Sequence, residues 1–198
     1  RTLNAKELVD IESAVIETYK EKGITQDKDS LYEKDKGELN GKITLNKIKK
    51  KMPTLTDFQR ILATKKNSKE LAEILTGFLR GKSLGIFDCS STVNTNDQLL
   101  EFDLSEISDE VTKFYANLVI TTWILEKYMK KNDKYPRKAV HIDEAWTIIK
   151  YKETADFVET LARKARKKCV SLVIATQSPD ELVSSPQGRA ILNNCDTT

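Results

Sequence analysis

Val140-His141-Ile142-Asp143-Glu144 is a short apolar run that ends on two adjacent carboxylates. A strand that is covered on both faces has to be apolar, as the strands of parallel α/β sheets are. Ligands of such sheets gather at the carboxyl ends of the strands. This stretch therefore predicts a buried parallel strand that places Asp143 and Glu144 at the edge of the sheet where a ligand binds.

A second apolar run, Val170-Ser171-Leu172-Val173-Ile174-Ala175, precedes Thr176 and Gln177 and predicts another buried strand. Together the two runs are typical of a Walker B element and its neighbouring strand. In that arrangement Asp143 binds Mg2+ through a water molecule, and Glu144 polarises the water that attacks a phosphate. Gln177 would sense the terminal phosphate. The alternatives are an acid pair that only caps a loop and an ordinary loop amide.

The chain divides into two regions with different apolar patterns. Residues 1–82 predict a small all-helical subdomain, because apolar side chains recur at helical spacing behind capping residues, with one short strand or turn at Lys42-Ile43-Thr44-Leu45. Residues 83–198 predict an α/β domain with parallel strands, because strand and helix patterns alternate there. Further strands are expected at Leu84-Gly85-Ile86-Phe87 and Leu99-Leu100-Glu101-Phe102-Asp103-Leu104, and helices from Val111 to Lys131 and from about Glu153 to Lys168.

The composition is that of a globular protein, with 39% apolar residues, 32% charged residues and a net charge of only +3. The charges are interspersed, so no general nucleic-acid-binding surface is indicated. Cys89, Cys169 and Cys195 lack CxxC spacing, which disfavours zinc and a disulfide framework and favours reduced thiols in the cytosol. No signal peptide or membrane-spanning run is recognisable, so we expect any membrane association to depend on partners or on sequence outside this chain.

Basic residues form two candidate sites. Arg163 and Arg166 lie three apart, opposite the apolar face of a predicted helix, where an arginine finger could reach a phosphate held by a neighbouring subunit. The alternative is a solvated basic face. The cluster from Lys47 to Lys51 is better interpreted as a solvated helix end or loop than as a DNA-binding patch.

The single histidine and the two tryptophans are predicted to be structural. His141 lies within a predicted buried strand and has no Cys or His companions, so we expect a hydrogen-bonded core residue and not a metal ligand. Trp123 and Trp146 are expected to be core aromatics.

One element of a nucleotide-binding site is missing. No GxxxxGK[ST] loop occurs in the sequence, and this loop cradles the phosphates in P-loop enzymes. We expect the chain to be a fragment whose phosphate loop lies upstream of Arg1, because that loop normally precedes the acid pair. The alternative is a chain that does not hydrolyse nucleotide.

The motifs resemble those of the conjugative-transfer and type IV secretion ATPases of the VirB/TraC kind. The resemblance rests on AVHIDEAW, ETLARKARKK, VSLVIATQSPDEL and GRAILNNCDT, and it extends upstream through LEFDLSEI, LTGFLRGKSLGIFDCSSTV, TDFQRIL and RTLNAKELVDIESAV. It therefore spans nearly the whole chain. It implies a RecA-like motor domain, which here would be a partial P-loop NTPase fold, with an inserted all-helical subdomain.

The resemblance also implies function and partners. ATP and Mg2+ would be the cofactors, with Asp143 and Glu144 in the Walker B roles and Gln177 as the sensor, while Arg163 and Arg166 fall in the arginine motif of the family. The protein would act as an oligomer, expected to be a hexamer, in the cytoplasm at the inner face of the cell membrane. Its other partners would be secretion-channel and coupling-protein subunits and the transferred DNA or protein.

Three functions are therefore open. The first is an ATPase that powers substrate transfer or assembly of a type IV secretion or conjugation machine. The second is a DNA translocase of the FtsK/HerA kind, which shares the glutamine at the strand tip and the arginine helix. The third is a non-catalytic scaffold derived from a motor domain.

Overall fold

The computed structural model describes two compact units, Arg1–Asp97 and Gln98–Thr198. Each unit has its own cluster of buried apolar side chains. The residues that the structure describes are 2–39, 42–93, 97–129, 137–177 and 179–195.

The first unit packs three helices and carries one β-hairpin. Its elements are α1 (Ala5–Glu21), β1 (Tyr32–Leu39), β2 (Lys42–Lys49), α2 (Leu55–Leu62) and α3 (Lys69–Leu75). The core contains Ala14 from α1, Ile61 and Leu62 from α2, and Ala72 from α3. Because small residues on α1 and α3 face the larger side chains of α2, the three helices can approach closely.

The ends of α1 follow the signals in the sequence. Asn4 and Glu7 form the predicted capping box, in which each side chain accepts the backbone N–H of the other residue. Gly23 follows the helix with φ at +66°, a left-handed conformation that favours glycine. Lys50 then donates from Nζ to the Gly23 carbonyl oxygen at 2.7 Å. One lysine of the basic cluster therefore has a structural contact.

The hairpin corrects the prediction of an all-helical subdomain. Strands β1 and β2 pair antiparallel over their whole length, from Tyr32 opposite Lys49 to Leu39 opposite Lys42. The sequence does contain the signal for this hairpin, because Asn40-Gly41 is the dipeptide most typical of a two-residue hairpin turn. These two residues themselves lie outside the described part of the chain.

The boundary between the units also differs from the predicted boundary at residue 82. The division lies between Asp97 and Gln98. The reason is the buried carboxylate of Asp88, which accepts the backbone N–H of Thr56 at 2.9 Å and that of Arg80 at 3.0 Å. Asp88 thus attaches the segment after Gly81 to the start of α2 in the first unit.

Hydrogen bonds keep Asp88 ionised in spite of its burial. Burial alone would raise the pKa of Asp88, but donors from Thr56, Arg80 and Thr54 outweigh it and lower the pKa to about 2. A carboxyl whose pKa is lower in the folded state contributes stability above its unfolded pKa of about 4. That contribution is lost as the pH falls from about 4 towards the folded value.

We therefore expect Asp88→Asn to destabilise the first unit by roughly 2 kcal/mol at neutral pH, because the new amide NH2 would face N–H and O–H donors. The difference from wild type should shrink between about pH 4 and pH 2. Urea unfolding followed by far-UV circular dichroism, at neutral pH and near pH 2, measures this difference in the free energy of unfolding. Asp27→Asn changes an exposed carboxylate that accepts one N–H, from Asp29, and serves as the control. A difference in the free energy of unfolding between wild type and Asp88→Asn that does not depend on pH would contradict the lowered pKa of Asp88.

The second unit contains a parallel strand pair flanked by helices. Its elements are α4 (Glu110–Trp123), which continues as a π-helical turn (Ile124–Tyr128), then β3 (Lys138–Ile142), α5 (Trp146–Ile149), α6 (Lys152–Ala165), β4 (Val170–Ile174), α7 (Pro179–Ser184) and α8 (Pro186–Leu192). Strands β3 and β4 pair in parallel, from Lys138 opposite Val170 to Ile142 opposite Ile174. The two strands and the crossover helix predicted around Asp143 and Gln177 are thus confirmed.

The core of the second unit lies between the inner face of the strands and α6. Val158 and Leu161 of α6 are fully buried and belong to one cluster with Val140 and Ile142 of β3 and Ile191 of α8. No described helix in either unit is both long enough and apolar enough to cross a membrane.

His141 does not have the predicted core position. Along β3 the buried residues are Val140 and Ile142, whereas His141 between them is exposed, as is its partner Val173 with 44% of its surface accessible. Side chains alternate between the two faces of a strand, so burial of one face exposes the other. The prediction assumed that both faces of the strand are covered.

Two further predicted strands are absent from the described residues. Within 84–87 the backbone forms local bonds, from Gly85 N to Lys82 O and from Phe87 N to Leu84 O, and makes a 3-10 turn. Residues 99–104 pair with neither β3 nor β4 in the described structure, and Leu99 is 85% exposed. An apolar run becomes a strand only where a neighbour completes its hydrogen bonds.

Candidate functional site

The tips of β3 and β4 remain joined beyond the last paired residues. Ala175 N donates to Ile142 O at 2.9 Å, and Ala145 N donates to Ala175 O at 3.0 Å. The first bond continues the register of the ladder, and the second joins the two segments one residue later, beyond Glu144. Asp143 and Glu144 therefore lie beside Thr176 and Gln177, as the sequence predicts.

Glu144 has an unusual backbone conformation for a residue with a side chain. Its φ is +49°, in the left-handed region that favours glycine. Its N–H donates to Asp143 Oδ1 at 2.9 Å, and its carbonyl accepts from both the N–H and the hydroxyl of Thr147 at 2.9 Å each. Such a conformation costs about 1–3 kcal/mol and persists only where the surroundings enforce it, which is common at functional sites.

Both carboxylate oxygens of Glu144 accept a hydrogen bond. Gln177 donates from its amide nitrogen Nε2 to Oε1, and Trp146 donates from its indole nitrogen Nε1 to Oε2. An ionised carboxylate has about four acceptor sites, so Glu144 can still accept a proton or a hydrogen bond from water. The structure thus brings Glu144 and Gln177 into direct contact, while their catalytic roles stay a prediction.

Asp143 fits the predicted magnesium role. Its side chain is exposed at the tip of β3, and within the described part of the chain it accepts one hydrogen bond, at Oδ1, which leaves Oδ2 for a metal-bound water. The described residues contain no cluster of three or more potential metal ligands. Mg2+ in a nucleotide complex usually combines one or two carboxylates with phosphate and water oxygens.

Among the described residues, Arg163 pairs within its own helix and not with the acid pair. Arg163 lies on the exposed side of α6, as predicted, and pairs with Glu159 one turn earlier at 2.7 Å. Such exposed pairs contribute little stability, so Arg163 can exchange this partner. Arg166 begins a 3-10 turn, and its side chain lies outside the described part of the structure. The arginine-finger role of either residue stays a prediction.

Sequence reasoning missed the contact of Trp146. It was expected in the core, yet it is 37% exposed and donates to Glu144. The sequence signal that could have indicated this contact is the position of Trp146, two residues after Glu144 and at the start of a helix. Trp123 was also expected in the core, yet it is half-buried and lies outside the core cluster, with its ring centroid 5.9 Å from that of Phe102 and 6.1 Å from that of Tyr128.

Comparison with known proteins supports the predicted fold. The family model of the TraG P-loop domain matches residues 2–198. Among solved structures, the chain is similar to VirB4 of Thermoanaerobacter pseudethanolicus, with a TM-score of 0.65 and 21% identity. That match covers 98% of this chain and 51% of the VirB4 chain, so the present chain spans about half the length of that protein.

A search of curated protein sequences gives no significant match. The structural match shows a shared fold, and the mixed helices and small parallel sheet are consistent with the predicted partial P-loop NTPase fold. The predicted resemblance to the VirB/TraC kind of ATPase is confirmed by the two matches. Because the family model covers nearly the entire sequence, this chain belongs to the TraG P-loop domain family.

Proposed function

We propose that the protein is part of an ATPase that powers substrate transfer or assembly of a type IV secretion or conjugation machine. The observation that carries the proposal is the hydrogen bond from Gln177 to Glu144 across the tips of two adjacent parallel strands. A carboxylate and an amide at this edge of the sheet are where a nucleoside triphosphate would need a base and a sensor. Membership of the TraG P-loop domain family supports it.

In the proposed reaction Glu144 accepts a hydrogen bond from the attacking water and orients it towards the terminal phosphate. Asp143 would hold Mg2+ through a water molecule, and the ion would supply positive charge next to the phosphates. Gln177 holds one oxygen of Glu144 and changes partner when a terminal phosphate is present or absent. The acid pair therefore performs the chemistry, and the amide links it to the nucleotide state.

The assembly is part of the same proposal. Arg163 or Arg166 would reach the phosphates of a neighbouring subunit, so activity would require an oligomer, which we propose to be a hexamer. We place it in the cytoplasm at the inner membrane face, with secretion-channel and coupling-protein subunits and a DNA or protein substrate. The exposure of Arg163 on α6 supports a contact of this kind.

The first test is Mg2+-dependent ATP hydrolysis by the full-length protein, with Gln177→Ala as the variant. Loss of one charge-assisted donor to Glu144 should lower kcat about tenfold. Gln187→Ala is the matched control, because Gln187 makes the same kind of amide–carboxylate bond at 3.0 Å, but to Asp156 and not to the acid pair. Equal kcat values for Gln177→Ala and Gln187→Ala would remove Gln177 from the mechanism.

The same assay separates the competing functions. Strong stimulation by DNA of any sequence would favour a translocase of the FtsK/HerA kind, which shares the strand-tip glutamine. Absence of hydrolysis in the full-length protein, with and without its assembly partners, would favour a scaffold and overturn the proposal.

A further inference from the structure

The two tryptophans of the chain have different environments. Trp123 packs with its ring against Phe102 and Tyr128. Trp146 instead begins α5 at the tip of β3, and its indole N–H donates to Glu144 Oε2. A partly exposed tryptophan contributes less to core packing than a buried one, so this polar contact is the distinctive feature of Trp146.

Trp146 is attached to a well-anchored helix. Ala145 before it is fully buried and bonds to Ala175, and Ile149 at the end of α5 is buried in the core. Thr154 also donates its hydroxyl to the Ile148 carbonyl, which joins α5 to the start of α6. The backbone of Trp146 is therefore anchored beside the tip of β3, within reach of Glu144.

The two donors restrain Glu144 in a way that one donor could not. A glutamate side chain has three rotatable bonds, and immobilising it costs conformational free energy. With Gln177 on Oε1 and Trp146 on Oε2, the carboxylate cannot turn about its terminal bond without breaking a hydrogen bond. If Gln177 leaves to contact a phosphate, the bond from Trp146 still keeps the carboxylate in place.

We propose that Trp146 is a positioning residue that orients the Glu144 carboxylate towards the water that attacks the terminal phosphate. The inference rests on the proposed function, since it assigns Glu144 as the base. Misorientation of a base lowers the rate of the chemical step and has little effect on nucleotide affinity. A merely structural contact on a partly exposed side chain would instead change stability and leave kcat alone.

The test compares Trp146→Phe with Trp123→Phe in the full-length protein. Phenylalanine retains an aromatic ring at either position and removes only the indole N–H and the second ring. We expect Trp146→Phe to lower kcat about tenfold with ATP affinity within about twofold of wild type, and Trp123→Phe to retain kcat. In a Glu144→Gln background, Trp146→Phe should cause no further loss, because its effect acts through the carboxylate.

Fluorescence provides a readout that does not require activity. Glu144→Gln removes the negative charge next to the indole of Trp146 and should change the emission of the protein. The change should persist in the Trp123→Phe background and disappear in the Trp146→Phe background. Wild-type kcat in Trp146→Phe, or an emission change that persists without Trp146, would overturn the positioning role. Lack of hydrolysis by the wild-type protein would instead overturn the proposed function.

Discussion

Glu144→Gln should lower the turnover number of the full-length protein at least about 100-fold while ATP binding stays near the wild-type level. A general base typically contributes two to four orders of magnitude, and an amide cannot accept the proton. Glutamine has nearly the same size and can still accept from Gln177 or Trp146 through its one oxygen, so the strand tips should keep their geometry. Steady-state ATP hydrolysis and a separate binding isotherm measure the two effects.

Glu110→Gln is the matched control for this variant. Glu110 is an exposed glutamate of the second unit whose carboxylate, like that of the half-buried Glu144, accepts two donors, from Lys150 at 2.8 Å and from the hydroxyl of Tyr151 at 3.1 Å. Its replacement removes the same charge far from the acid pair in sequence and should leave kcat within about twofold of wild type. Near-wild-type turnover in Glu144→Gln would remove Glu144 from the chemistry and leave the contact with Gln177 as a structural feature.

Glu144→Gln, Gln177→Ala and Trp146→Phe should lower turnover to different extents. Glu144→Gln removes the base and should have the largest effect, whereas Gln177→Ala or Trp146→Phe removes one donor and should have a smaller effect, because the remaining donor still orients the carboxylate. Combining Gln177→Ala with Trp146→Phe should therefore cost more than the product of the single effects. This ordering distinguishes a base held by two donors from three independent contributions.

The sequence predicts which side chains meet at the strand tips, but it does not predict every hydrogen bond between them. An apolar run that ends on two acids, followed by another that ends on an amide, places those side chains together wherever parallel strands pair in register. The contact between Glu144 and Gln177 follows from that rule. The donor from Trp146 does not, because it depends on the left-handed backbone of Glu144 and on the residue at which α5 begins.

The fold was predicted where the sequence contains local stop and start signals. The capping box of Asn4 and the glycine at 23 defined α1 correctly, and the apolar stripe of α6 faces the core. The runs at 84–87 and 99–104 were assigned from apolar content alone, which does not reveal whether a partner strand is adjacent. The hairpin was missed because its lysine-rich strands obscured the signal of Asn40-Gly41.

Gly188→Ala should destabilise the second unit by about 3 kcal/mol or more, the largest stability effect we expect from a single methyl group in this protein. Gly188 is buried in the first turn of α8, where its N–H donates to the Ser185 hydroxyl at 2.9 Å. A Cβ at this position would lie 2.0 Å from the Leu182 carbonyl oxygen and 2.7 Å from its carbon. Both are backbone atoms of α7, so they cannot move aside as the end of a flexible side chain can.

Relief of this clash would require α7 and α8 to separate. Leu182 and Ile191 are both buried in the core cluster, so separation would also expose apolar surface next to α6. Denaturant unfolding followed by tryptophan emission measures the effect, because Trp123 and Trp146 both belong to the second unit. Hydrogen exchange of the α7 and α8 amides should increase in the same variant.

Gly77→Ala in the first unit is the control, because a Cβ at Gly77 would meet no atom within 4 Å; its unfolding is followed by far-UV circular dichroism, since both tryptophans lie in the second unit. It should change stability by less than about 1 kcal/mol, and a small gain is physically reasonable because alanine restricts the unfolded chain. If Gly188→Ala were as stable as Gly77→Ala, the close approach of α8 to the Leu182 carbonyl would be wrong. The buried position of Ile191, which depends on that approach, would then have to be reassigned as well.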